Sequence, residues 1–179
     1  NQWHDAYAAR GGICAAGAGR GGHAAGEAAR KLSVGSLLTY FRQRPNKAKR
    51  NPDEDTTTPV LSGRELALED AIQLANTAIC EAACKHEQHA GMGSTIVCVL
   101  VDQDLFSVGH VGDSRVYLIR ENAIQQLTQD HSLVALQTQL RLFSPEEAST
   151  LHLQNVITKA LGSDETVVSD LDDMVAIPA

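Results

Sequence analysis

The chain has 179 residues, 43% hydrophobic and 21% charged, and carries a formal net charge of −7. That length suffices for a single domain with a sizeable core, and the acidic balance excludes nucleic acid as the main partner, because neutralising phosphates needs a basic face. No apolar run is long enough for a membrane span and no charged-then-apolar leader opens the chain, so a cytoplasmic protein without a membrane partner is expected. Cys14, Cys80, Cys84 and Cys98 form no C-x-x-C pair, and the expectation is reduced thiols packed as small apolar residues.

Residues 1–22 are rich in Gly and Ala and weak in strand propensity. From His23 to about Arg44 the pattern predicts a helix with Leu32, Leu37, Leu38 and Phe41 on one stripe. Residues 42–61, with a basic block followed by an acidic one, predict a solvated loop. Ser62 then caps a second helix, with Glu65 completing a capping box. After Gly91 the period changes, and "STIVCVLVD", "LFSVGHVGD" and "SRVYLIRE" read as strands, followed by "IQQLT". Connections this short require antiparallel neighbours. Helical pieces are predicted at about 132–142 and at 144–152, the second opened by a Ser144/Glu147 capping box. "NVITKALG" and an acidic stretch follow. The whole is one α+β domain, residues 1–179.

Gly17, Gly19 and Gly22 in "GAGRGGHAAGE" match the G-x-G-x-x-G nucleotide pattern. A dinucleotide loop needs a strong strand before it, a crossover to a parallel strand, and an acid about twenty residues on. None of these is present, and no G-K-[ST] follows, so the match is read as a coincidence.

Four stretches, "GGHAAGEAARKL", "GMGSTIVCVLV", "HVGDSRVYLI" and "LTQDHSLV", completed by "NVITKALG", together resemble the bacterial metal-dependent (type 2C) protein serine/threonine phosphatases. The resemblance implies an α-β-β-α sandwich of two antiparallel sheets flanked by helices, incomplete at the C-terminus. It implies two Mn²⁺ or Mg²⁺ ions, with a third and weaker one beside them. A metal-activated water would dephosphorylate phosphoserine or phosphothreonine proteins, with a cognate Ser/Thr kinase as a further partner. Carboxylate ligands suit such hard cations.

By the same resemblance Asp5, Gly19 (through its carbonyl) and Asp113 are metal ligands. His23 closes the glycine motif and is a candidate catalytic residue, and Asp130 and His131 are structural. Residues 132–155 correspond to the flap. Alternatives remain open at several positions. Asp113 is a ligand or a turn residue, His23 a proton donor or a packed helix-start histidine, and Arg20 a phosphate-binding cation or a counter-charge. His110 reads as a satisfied core histidine, and His86 and His89 as surface residues.

Three departures stand out. Ala18 occupies the place of the acid that bridges both metals, Arg20 replaces a Met, and the chain stops before the later "SDG" and "DN" aspartates. The expectation is therefore a phosphatase impaired in this chain. The alternative is an inactive relative that binds phosphoproteins or regulates without turnover.

Overall fold

In the computed structural model, residues 6–8, 12–43, 61–102, 105–140 and 156–175 are described. Asp5, most of the 42–61 loop and the Ser144 capping box lie outside them.

Helix α1 spans His23–Gln43. It can start where it does because Gly21 and Gly22 take φ of +103° and +81°, a region that residues with a Cβ avoid, and the Gly26 amide bonds to the Gly22 carbonyl at 2.8 Å. Helix α2 spans Gly63–Lys85 and opens with the expected capping box. Ser62 Oγ accepts from the Glu65 amide at 3.1 Å, and Glu65 Oε2 accepts from the Ser62 amide at 2.7 Å. Ala67, Leu68, Ala71, Ile72, Ala75 and Ile79 recur at helical spacing and are fully buried. Leu37 joins them on α1, with Leu32, Leu38 and Phe41 packed at the margin.

The helices lie against a five-stranded antiparallel sheet. In chain order its strands are β1 (Ala6–Ala8), β2 (Ile13–Ala16), β5 (Ile96–Asp102), β6 (Leu105–Val111) and β9 (Asp170–Val175), and they are adjacent in that order. Ile13, Ala15, Ile96, Cys98, Leu100 and Val111 form the sheet's part of the core. A Cβ on Gly109 would come within 3.2 Å of Ile72 Cδ1 and Cys98 Sγ, so the missing side chain lets α2 settle onto β6. Two short ladders complete the strands: β3 (Gly19–Arg20) with β4 (Gly93–Ser94), and β7 (Tyr117–Arg120) with β8 (Ala123–Gln126). Glu121 and Asn122 turn between β7 and β8 with φ of 49° and 61°, the positive values a two-residue hairpin needs. Helix α3 is short, Leu133–Gln139.

The α+β class with antiparallel sheets is as expected, and the nucleotide alternative falls because the described sheets contain no parallel pair. Three details differ from the sequence reading. Residues 13–16 are a strand despite weak propensity, because burial between β1 and β5 and beneath α1 outweighs what Ala and Cys prefer. The meander does not continue from β6 to β7, since at Gly112, φ +109°, the chain leaves the sheet and β6 takes β9 as its other neighbour. Cys98 is buried, with burial pushing its thiol up to about 12, whereas Cys14 and Cys84 are exposed rather than packed.

Candidate functional site

Three loops meet beyond one end of the sheet, and Thr95 joins two of them. Thr95 is 1% exposed. Its Oγ1 accepts from the Ala18 amide at 3.1 Å, its own amide donates to the Ala18 carbonyl at 2.9 Å, and its hydroxyl lies 2.7 Å from Ser114 Oγ. The main chain of Ala18 is thus held to Thr95, whose hydroxyl reaches on to Ser114 in the Gly112–Ser114 turn, and the Ala18 methyl group takes no part. Gly19 is exposed but cannot be replaced without movement, since a Cβ there would fall 1.6 Å from the Gly26 carbonyl oxygen. The motif glycine is required by the press of β3 on the start of α1.

The structure brings Gly19, Arg20 and Asp113 to this end of the molecule. His23 is the first residue of α1, and Asp5 lies outside the described residues. Asp113 is half-buried, and no hydrogen bond or ion pair engages its carboxylate among the described residues. Arg20 is exposed and likewise makes no ion pair among them.

Asp130 is occupied otherwise. Arg115 grips it with both guanidinium arms, Nε to Oδ1 at 2.7 Å and Nη2 to Oδ2 at 2.6 Å. That two-pronged geometry is the strong form of the pair, and with the Tyr117 hydroxyl it raises the Arg115 pKa further. The pair borders an open cleft of about 450 Å³, lined also by Gln129, Ser132 and Thr138 at the start of the flap region.

His131 is 8% exposed. Its backbone amide donates to the Gly112 carbonyl at 2.9 Å, and its Nδ1 accepts from the Gly112 amide at 3.0 Å. Because Nδ1 accepts, the ring proton resides on Nε2, which faces Asp170 Oδ1 at 3.2 Å. Lys159 Nζ donates to the same oxygen at 3.2 Å. The ring stacks on His110, with centroids 4.7 Å apart and planes inclined by 11°. His110, 4% exposed, bonds through Nε2 to the Gln129 carbonyl at 2.8 Å, in line with its reading as a satisfied core histidine.

Ligand atoms of His110, His131 and Asp170 lie within 4.8 Å of one another, close enough to hold a cation. The hydrogen bonding opposes it. His131 has no free lone pair while Gly112 occupies Nδ1, and the Lys159 ammonium already neutralises Asp170. The cluster is built as a hydrogen-bonded chain.

A two-metal centre needs several carboxylates to offset the repulsion between its ions. Residues 17–22 and 112–115 contribute one acidic side chain, Asp113. The described donors therefore do not fit two divalent ions.

Sequence reasoning missed Thr95, Lys159 and Asp170. Thr95 was legible only as a β-branched residue at the head of a strand. Asp170 sits in an acidic stretch, and only the β6–β9 register, which sets it opposite His110, gives it a role.

The described strands pair antiparallel throughout, and polar residues gather on loops at one sheet end, an arrangement without the parallel crossover of a dinucleotide cradle. The chain belongs to the Protein phosphatase 2C family, whose model matches residues 21–137. It is 32% identical over 154 residues to the serine/threonine phosphatase stp of Listeria innocua, covering 85% of this chain and 56% of that protein. It is 31% identical over 147 residues to PstP of Mycobacterium tuberculosis, covering 82% and 26%. A serine/threonine phosphatase crystal structure from Staphylococcus aureus superposes with a TM-score of 0.79 at 31% identity, over 97% of this chain and 64% of that one. The family is metal-dependent, and one similar structure, the PstP catalytic domain, holds two manganese ions. The chain spans a little over half the length of the Listeria relative.

Proposed function

We propose that this chain supplies most of a protein serine/threonine phosphatase domain, with phosphoserine and phosphothreonine proteins as substrates and a Ser/Thr kinase as their source. Turnover by this sequence is low, because Ala18 stands where the resemblance expects the bridging acid. The observation that supports this reading is the retained scaffold. Thr95 holds the main chain of residue 18 against the turn that carries Asp113, so the place of the acid survives without the acid. In this reading Asp113 and the Gly19 carbonyl are remaining ligand positions, Asp5 is a third, and Mn²⁺ or Mg²⁺ is the ion.

A second reading is favoured by Arg20, which is exposed and without an ion pair among the described residues. In it, the loop binds a phosphorylated side chain without hydrolysing it. The test is phosphate release from a phosphothreonine peptide with Mn²⁺, comparing the parent with Ala18→Asp. The first reading expects turnover abolished by EDTA and at least about tenfold faster in Ala18→Asp, since one well-placed charged group contributes on that order. Silence from both, with saturable peptide binding lost in Arg20→Ala, would establish the second reading instead.

A further inference from the structure

We propose that His131 is a positioning residue. Through Nδ1 it fixes the Gly112–Asp113 peptide, and Asp170 keeps its ring in the tautomer that can do so. The proposal rests on the reading of Asp113 as a working carboxylate of the phosphatase site.

The turn needs holding. Gly112 adopts φ +109°, and a Cβ there would strike Thr95 Cγ2 at 2.5 Å. Both main-chain polar groups of Gly112 are bound by one residue, its amide to His131 Nδ1 and its carbonyl to the His131 amide. On the far side of Asp113, Ser114 meets Thr95 at 2.7 Å. Asp113 is therefore gripped before and behind by buried groups, while its own carboxylate is left uncommitted among the described residues.

The ring can serve in one orientation only. With the proton on Nδ1, two donors would face each other across the Gly112 contact, and a buried amide would lose its acceptor. Asp170 Oδ1 draws the proton to Nε2, and Lys159 keeps that carboxylate charged and in place. This is the arrangement by which a second carboxylate commonly sets a functional imidazole. Here the imidazole acts on a main-chain amide. His110, stacked above and tied to the Gln129 carbonyl, limits tilting of the ring.

Isosteres separate this role from packing. The side-chain amide of His131→Asn reaches the place of Nδ1, and that of His131→Gln reaches the place of Nε2. Amide exchange read by NMR on the full chain should leave Gly112 within about threefold of the parent in the Asn variant. In the Gln variant Gly112 should exchange roughly tenfold faster, the effect of losing one buried hydrogen bond. Asp170→Ala, which touches neither Gly112 nor Asp113, should also speed Gly112 exchange while Val99 in β5 stays unchanged. If Asn and Gln accelerate Gly112 and Val99 alike, or Asp170→Ala leaves Gly112 as it was, His131 merely packs and the proposal falls. Turnover of a phosphothreonine peptide with Mn²⁺ supplies the functional arm. A kcat that falls in Gln, recovers in Asn and leaves KM unmoved supports positioning, and equal kcat in all three overturns it. Absence of turnover in the parent would count against the phosphatase reading, with the exchange rates still deciding the role of His131.

Discussion

Position 18 lies in a corner whose hydrogen bonds come from the main chain and from Thr95, so an acid can be absent there without collapse of the loop. Position 131 is the reverse case, where the side chain itself carries the contacts. Burial holds the His131 pKa below the ordinary imidazole value of 6.5, against the opposing pull of Asp170 and with Lys159 and His110 adding to it. A base whose pKa falls on folding contributes stability that is complete above its unfolded value and is lost as pH drops through the folded one. Burial works to raise the Asp170 carboxyl, but hydrogen bonds from His131 and Lys159 outweigh it and leave its pKa below the ordinary 3.8. That group's contribution therefore survives until the pH is lower still. The urea midpoint should accordingly decline as pH is lowered from 7 through the range below 6.5, with a flatter decline in His131→Asn. A midpoint that is level there in the parent would mean that His131 does not titrate with folding. Among the candidate site residues, the glycine motif and Asp113 were legible because the motifs are local. The partner of Gly112 was not, because His131 lies 19 positions away in the chain.

At the level of elements, the signals that proved readable are those a short window contains. Ser62 with Glu65 marks the start of α2, and the cap is present in full. Ser62→Ala should lower unfolding free energy by about 1 kcal/mol, measured by urea denaturation at pH 7, and a loss near zero would mean the box is redundant with the packing of α2. The β-branched run at 96–101 made β5 plain. By contrast, β2 is made of Ile, Cys and two Ala, and only its neighbours make it a strand. β9 reads "DLDDMV", an acidic surface pattern in which Leu171 packs against the core. Two charged groups of β9 find partners elsewhere in the chain: Asp170 through His131 and Lys159, and Asp173 through Arg64 and the Ser107 hydroxyl.

Across the whole molecule, distant segments are fastened by a few polar clasps set in the apolar core. Asn76, fully buried in α2, donates to the carbonyls of Asp164 and Glu165 at 2.9 and 3.1 Å and accepts from the Gly162 amide at 2.7 Å. Asn76→Ala would leave these main-chain groups unsatisfied, at a cost of about 2–4 kcal/mol. Urea unfolding followed by circular dichroism would measure it, and a loss below about 1 kcal/mol would show that the 162–165 turn finds other partners. Family membership was legible because its motifs stay local and in order. The path of the chain between sheets was not, because a break at one glycine, Gly112, decides it. The placement of β9 also bears on how the protein is made. β6 leaves the ribosome roughly sixty residues ahead of the strand that will cover its second edge. At ordinary elongation rates that gap lasts several seconds, during which a nascent edge of Leu, Phe and Val is open to any passing strand. Until Asp170 and Leu171 emerge, the growing chain is a natural client for chaperones that shield exposed β-structure.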